Sequence, residues 1–180
     1  MAESARKFMV IFDRDGVLNV DHGYAFKPEE LEWVPGAKAA VKRVNAAGAV
    51  AVIATNQSGI GRGYYTEADM EAFHAEMLRQ LTARGARIDA IYFAPHHEDA
   101  AEARYRAADH PDRKPNPGML LRALADFAVA PGDAVMIGDK PSDMEAARRA
   151  GVRGVFYAGE DLEGLVLREL AALTGTTFPE

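Results

Sequence analysis

Five short apolar runs recur along the chain, Phe8–Phe12, Ala49–Ala54, Ala90–Phe93, Ala134–Ile137 and Gly154–Tyr157, with helical periodicity between them. Most are rich in Val, Ile and aromatic residues and lack interior polar residues, the composition of strands covered on both faces. The intervening segments carry helix boundaries. Ala37–Ala47 follows Pro35 and stops at Gly48, and Thr66–Arg84 opens on Thr66, Glu67 and Asp69 and ends at Gly85. Pro117–Ala128 and Pro141–Ala150 begin on proline, and Asp161–Leu173 comes last. Caps, first-turn prolines and closing glycines of this kind mark amphipathic helices. Strand–helix alternation implies right-handed crossovers and a parallel sheet, hence an α/β class. The long irregular stretches are Asn19–Val34 and Pro95–Asn116, each too short for a cap domain. One domain over residues 1–180 is expected, with loops 19–34 and 95–116 shaping an open site. The tail after Tyr157 can either pack on the sheet edge or join an interface.

Composition removes several function classes. A net charge of −6 argues against a nucleic-acid partner, which selects a basic surface. The absence of cysteine excludes disulfides, thiol catalysis and thiolate metal sites, and fits a reducing cytoplasm. The N-terminal residues read as no signal peptide, and no stretch approaches the roughly 18 apolar residues of a membrane span. A monomer without membrane or nucleic-acid partners is the expectation.

In a parallel α/β sheet, ligands bind beyond the carboxyl ends of the strands. After the runs stand Asp13-Arg14-Asp15-Gly16, then Thr55-Asn56-Gln57-Ser58-Gly59, then Gly138-Asp139-Lys140 with Asp143, while Arg113-Lys114-Pro115 precedes a helix. Asp13 and Asp15, two apart at a strand end, point to one side. Crowded carboxylates need a cation or a shared proton. Asp139 adds a third, and ligation by oxygen alone favours a hard ion such as Mg²⁺. A carboxylate can also attack phosphorus while a neighbouring acid protonates the leaving oxygen. Thr55, the backbone N–H groups around Gly16 and Lys114 are candidate donors to the phosphoryl oxygens.

The ordered set FDRDGVLN, TNQSG, RKP and GDKxxD resembles the four motifs of the haloacid dehalogenase (HAD) superfamily of phosphohydrolases, from about Val10 to Val155. DRDGVLNVDHGY, TNQSGIGRGYYTE, RKPNPGML and GDKPSDM are similar to its branch of heptose-bisphosphate and histidinol-phosphate phosphatases. The resemblance implies a three-layer Rossmann-like fold and a Mg²⁺-dependent phosphomonoesterase working through an aspartyl-phosphate. It implies Asp13 as nucleophile, Asp15 as general acid and later base, and Thr55 and Lys114 as phosphoryl-binding groups. Mg²⁺ would be held by Asp13, the Asp15 carbonyl and Asp139. Asp21, His22, Gly23 and Tyr24, with Asn56, Gln57 and Ser58, would line the substrate pocket, and Arg113 and Lys140 match substrate-contacting positions. The VDHGY segment favours the 7-phosphate of D-glycero-D-manno-heptose 1,7-bisphosphate, a small phosphorylated metabolite. Histidinol phosphate or another sugar phosphate is the alternative, and a phospho-receiver domain the rival of a different class.

Blander roles stand beside these. Ser58 can equally cap a short helix, and Asp143, one turn after Asp139, can either stabilise a helix start or stand behind the ion. Trp33, Tyr64 and Tyr65 read as packing or rim groups, and His74 as structural. The resemblance breaks in the loop after the third run. Relatives there carry a zinc site built on C-P-H and C-x-C; this chain has Ala94-Pro95-His96-His97 and His110-Pro111-Asp112. His96, His110 and Asp112 remain as possible ligands, but Ala94 supplies none and His97 would have to replace it. A metal-free loop held by hydrogen bonds and by Tyr105 is expected. Arg104 and Arg106 there are candidates to meet a second phosphate.

Overall fold

The computed structural model describes residues 6–178, so the N-terminal residues read for a leader fall largely outside it. Strands β1 (Met9–Phe12), β2 (Val50–Asn56), β3 (Ala90–Ala94), β4 (Ala134–Gly138) and β5 (Arg153–Phe156) form one sheet in the order β3-β2-β1-β4-β5. All of its pairings are parallel. Helices α1 (Ala37–Ala46), α2 (Ser58–Gly61), α3 (Glu67–Thr82), α4 (Gly118–Phe127), α5 (Pro141–Ala150) and α6 (Leu162–Thr174) make the outer layers.

Alternation along the central strands builds two cores. Val10, Phe12, Ala51, Ile53, Val135 and Ile137 face Val41, Phe73, Leu81 and Val166 from α1, α3 and α6. Met9, Ile11, Val52, Ala54 and Met136 face Met119, Leu120, Ala146 and Ala147 from α4 and α5. The expectation of strands covered on both faces therefore holds for β1, β2 and β4. It fails at the edges: β3 is half-buried and β5 largely exposed, because each has a neighbour on one side only. The tail after Tyr157 forms α6 and packs on α1. Loops 19–34 and 95–116 stay loops, each with one 3₁₀ turn, Pro28–Glu30 and Ala103–Tyr105. Among the described residues, no helix is long and apolar enough to cross a membrane.

Strand β1 lies where the sheet changes direction, with β2 on one side and β4 on the other. The crevice at such a switch point opens at the strand's carboxyl end. Asp13 is the next residue.

Candidate active site

The backbone leaves β1 in a tight loop. Asp13 N–H donates to Ile137 C=O at 2.9 Å, so the residue still belongs to the sheet edge. Leu18 and Asn19 N–H both turn back to Arg14 C=O, at 2.9 and 3.1 Å. Gly16 closes the loop at φ +92°, and a Cβ there would stand 2.2 Å from Asp139 Oδ2. Only glycine fits, on conformation and on space.

Three carboxylates converge here. Asp13, Asp139 and Asp143 place ligand oxygens within 4.8 Å of one another. Asp13 and Asp143 are almost fully buried, and Lys114 is buried between them, its Nζ 2.8 Å from Asp13 Oδ1 and 2.7 Å from Asp143 Oδ1. The same ammonium donates to Ala54 C=O. Burial pushes Asp13 up to about 7, against the pull of Lys114 and with Asp143 adding to the rise. Burial also raises Asp139. Burial works against the Lys114 ammonium too, but Asp13 and Asp143 outweigh it and hold that lysine above its ordinary value.

Three carboxylates against one buried ammonium leave two negative charges uncompensated, the charge of one divalent cation. Asp139 Oδ1 is buried with no hydrogen-bond partner. An all-oxygen set with a free, aimed carboxylate oxygen suits a hard ion such as Mg²⁺. Asp13 and Asp139 fit as its holders. Asp143 is taken up by Lys114 and by the backbone N–H of Lys140 at the start of α5, 3.0 Å from its Oδ2. It caps the start of α5, one of the two roles weighed for it, and its ammonium partner and oxygens lie beside Asp13 and Asp139.

Asp15 is held differently. Its carboxylate accepts from Arg14 Nη2 at 2.9 Å, Asn19 Nδ2 at 2.9 Å and Gln57 Nε2 at 3.0 Å. Gln57 Nε2 also reaches Thr55 Oγ1 at 2.8 Å, and Tyr65 OH donates to Gln57 Oε1 at 2.6 Å. Gln57 thus links Asp15 to Thr55. Asn56 pairs with the backbone of Lys114 through both its amide atoms, at 3.0 Å each, and so fixes β2 to the lysine's segment.

A cleft of about 40 Å³ is lined by Asp13, Asp15, Thr55, Asn56, Lys114, Lys140, Ser142 and Asp143. It adjoins a pocket of about 390 Å³ whose walls include Asp21, Gly23, Tyr24, Gln57, Ser58 and Arg113. Most expected site residues therefore come together. His22 does not: it turns outward to Glu32 at 2.8 Å. Lys140 turns from Asp139 to Asp21, 3.2 Å away at the pocket rim. Arg104 pairs with Glu102 and Arg106 with Ala100 C=O, away from both clefts. A larger depression of about 580 Å³ lies between α1 and α6, far from the strand ends, beside the Arg43–Glu163 ion pair. It gathers no comparable set of groups.

The loop in which the family resemblance implied a zinc site is arranged without a common ligand point. The rings of His96 and His110 stack, centroids 3.4 Å apart and planes 6° from parallel. An ion lies in the plane of an imidazole that binds it, so two stacked parallel rings do not share one. Asp112 is engaged by Arg122 at 2.6 Å, and the backbone N–H of Asp112 donates to His110 Nδ1. Tyr105 is buried in a small cluster with Ile60, Tyr65, Met70 and Ala100, the packing expected of it.

Sequence reasoning missed Arg14 as a site residue, although it stands inside DRDG, and read Tyr65 as a packing or rim group and His74 as structural. Arg14 meets Asp15 against strand alternation, His74 meets Arg14 from sixty positions away, and Tyr65 meets Gln57 from beyond α2.

Four carboxylates, a buried lysine and a threonine hydroxyl gathered at one switch point are groups that a phosphoryl-transfer hydrolase of the α/β class uses. The HAD-hydrolase-like family matches residues 112–170, the part that carries Lys114, Asp139 and Asp143. D-glycero-beta-D-manno-heptose-1,7-bisphosphate 7-phosphatase of Rhodopseudomonas palustris is 42% identical over 170 residues, covering 94% of this chain and 93% of its own. The alpha-specific counterpart of Burkholderia mallei is 41% identical over 143 residues, covering 79% of this chain and 75% of its own. The crystal structure of D,D-heptose 1,7-bisphosphate phosphatase from B. bronchiseptica, complexed with magnesium and phosphate, superposes with a TM-score of 0.78 at 30% identity, over 92% of this chain and 99% of that one. The chain belongs to the HAD family of hydrolases, among its phosphatases.

Proposed function

We propose that the enzyme removes the 7-phosphate of D-glycero-D-manno-heptose 1,7-bisphosphate, with Asp13 as nucleophile and Asp15 as acid and base. The cluster of Asp13, Asp139 and Asp143 around Lys114 carries this reading, because it sits in a cleft only large enough for a small polar group. The adjoining pocket gives room for the sugar and is lined by Tyr24, Asp21, Lys140 and Arg113, groups able to bind hydroxyls and a second phosphate.

In the first half-reaction an Asp13 carboxylate oxygen bonds to phosphorus as the bond from phosphorus to the sugar oxygen breaks. Asp15 gives its proton to that departing oxygen. Lys114 and Thr55 hold the charge that spreads over the phosphoryl oxygens. In the second half, water attacks phosphorus, the Asp13–phosphorus bond breaks, and the water's proton passes to Asp15. Mg²⁺ held by Asp13 and Asp139, with the Asp15 carbonyl, would neutralise phosphoryl charge. Burial of Asp13, Thr55 and Lys114 lowers the local dielectric and strengthens each of these interactions.

The test is a phosphate-release screen with and without Mg²⁺. Both anomers of heptose 1,7-bisphosphate, histidinol phosphate and other sugar phosphates would be compared. Mg²⁺-dependent release from heptose bisphosphate at the highest kcat/KM is expected. Steady turnover of histidinol phosphate with none of heptose bisphosphate would overturn the substrate assignment.

A further inference from the structure

Arg14 is 1% exposed and is the largest fully buried side chain of the described residues, in a position where neither cleft touches it. Burying a guanidinium costs several kcal/mol unless its donors are met. Here its fork is filled on each edge. Nε lies 3.2 Å from both Asp15 oxygens, and Nη2 reaches Asp15 Oδ1 at 2.9 Å and Ala25 C=O at 2.8 Å. Nη1 meets His74 Nε2 at 3.1 Å, and the flat face lies 4.6 Å from the Phe73 ring.

Two features make this more than a core ion pair. Consecutive residues of an extended chain point to opposite sides. The turn through Arg14 C=O and Gly16 overrides that and sets Arg14 alongside its own neighbour. Then His74, supplied by α3 from sixty positions away, backs the guanidinium from behind. Burial and the Arg14 charge push this imidazole down to about 3, so it is neutral and offers Nε2 as an acceptor. A protonated ring there would repel the arginine.

We propose that Arg14 is a positioning residue, whose guanidinium, braced by His74 and Phe73, fixes the Asp15 carboxyl group in the direction of the leaving oxygen. The proposal rests on Asp15 being the acid. Gln57 holds the other Asp15 oxygen from the pocket side, so the carboxyl group is clamped across two faces. Lysine would keep the charge and lose the fork.

A purely structural role would slow all substrates alike. Aim of the acid matters only where the leaving oxygen needs a proton. The measurement is therefore the single-turnover rate of phosphoenzyme formation from two phosphates. One is a sugar phosphate turned over by the wild type, heptose 1,7-bisphosphate under the assignment above. The other is 2,4-dinitrophenyl phosphate, whose phenolate departs unprotonated. Asp15→Asn serves as reference, and folding is followed by thermal melting. Arg14→Lys is expected to slow the sugar phosphate roughly 30- to 100-fold and the dinitrophenyl ester less than about threefold. His74→Phe should show the same pattern at about 5- to 10-fold. Equal losses for both esters, or no loss, would overturn the proposal, and if Arg14→Lys does not fold, His74→Phe decides by the same criterion. Should Asp15→Asn itself show no leaving-group dependence, the acid assignment fails rather than the role of Arg14.

Discussion

The inner cleft and the outer pocket share several residues yet differ in how they are held. Asp13, Thr55 and Asp143 are almost fully buried at strand ends or a helix start, and the equally buried Lys114, from the loop before α4, is tied to Asn56 and Ala54 of β2. The outer walls come from loops: Tyr24 is 44% exposed and packs edge-to-face on Tyr64, which is 53% exposed. The Lys140–Asp21 pair is likewise open to water. Chemistry is thus built on backbone that cannot move without opening the sheet, and substrate choice on backbone that can change at little cost. The loop after β3 illustrates that freedom, with a His96–His110 ring stack where the family resemblance implied a zinc site.

Breaking the inner cluster should therefore have the largest effect. Lys114→Met removes the only buried cation between Asp13 and Asp143 and should destabilise the fold by about 3–5 kcal/mol, read by denaturant unfolding. An unchanged midpoint would show that the carboxylates are not held by it. Gly16→Ala drives a methyl group into Asp139; kcat should fall by about 100-fold and more Mg²⁺ should be needed for half activity, with the melting temperature less affected.

His74 offers a test at intermediate scale. Unfolded, it takes up a proton near pH 6.5; folded, it does so only near 3. Its contribution is fully present above about pH 6.5 and declines as pH falls toward 3, by about 1.4 kcal/mol per pH unit. In His74→Gln the stability profile between pH 4 and 6.5 should be flatter by that slope. An unaltered slope would mean that the imidazole titrates as freely in the fold as outside it.

The outer pocket should respond least. Tyr24→Ala is expected to raise KM about fivefold, roughly 1 kcal/mol, with kcat within a factor of about two. A large loss of kcat instead would erase the distinction between the two regions.

Much of this was legible in the sequence for a physical reason. Strands and helices have periods, and the topology of a parallel sheet sends every strand end to one edge. Asp13, Thr55 and Asp139 could be read together from that rule alone, and Lys114 from the RKP motif ahead of a helix. The helix α2 was legible only as something Ser58 could cap, because four residues give no period; Gln57 is its N-cap and Ser58 its first residue. It is held instead by close approach, a Cβ on Gly59 falling 2.2 Å from Tyr65. Arg14 escaped because strand alternation assigns it to the wrong side, and only the turn at Gly16 corrects this. His22, read from motif position, faces Glu32 because loop residues obey no alternation that would aim them.

The central claim is that phosphate passes through Asp13. Acid quench during a single turnover with ³²P-labelled sugar phosphate, followed by peptide mapping, tests it directly. Transient, hydroxylamine-labile label on the peptide containing Asp13, absent from Asp13→Asn together with phosphate release, is the result expected. Phosphate release at the wild-type rate with no label on that peptide at any time would contradict it.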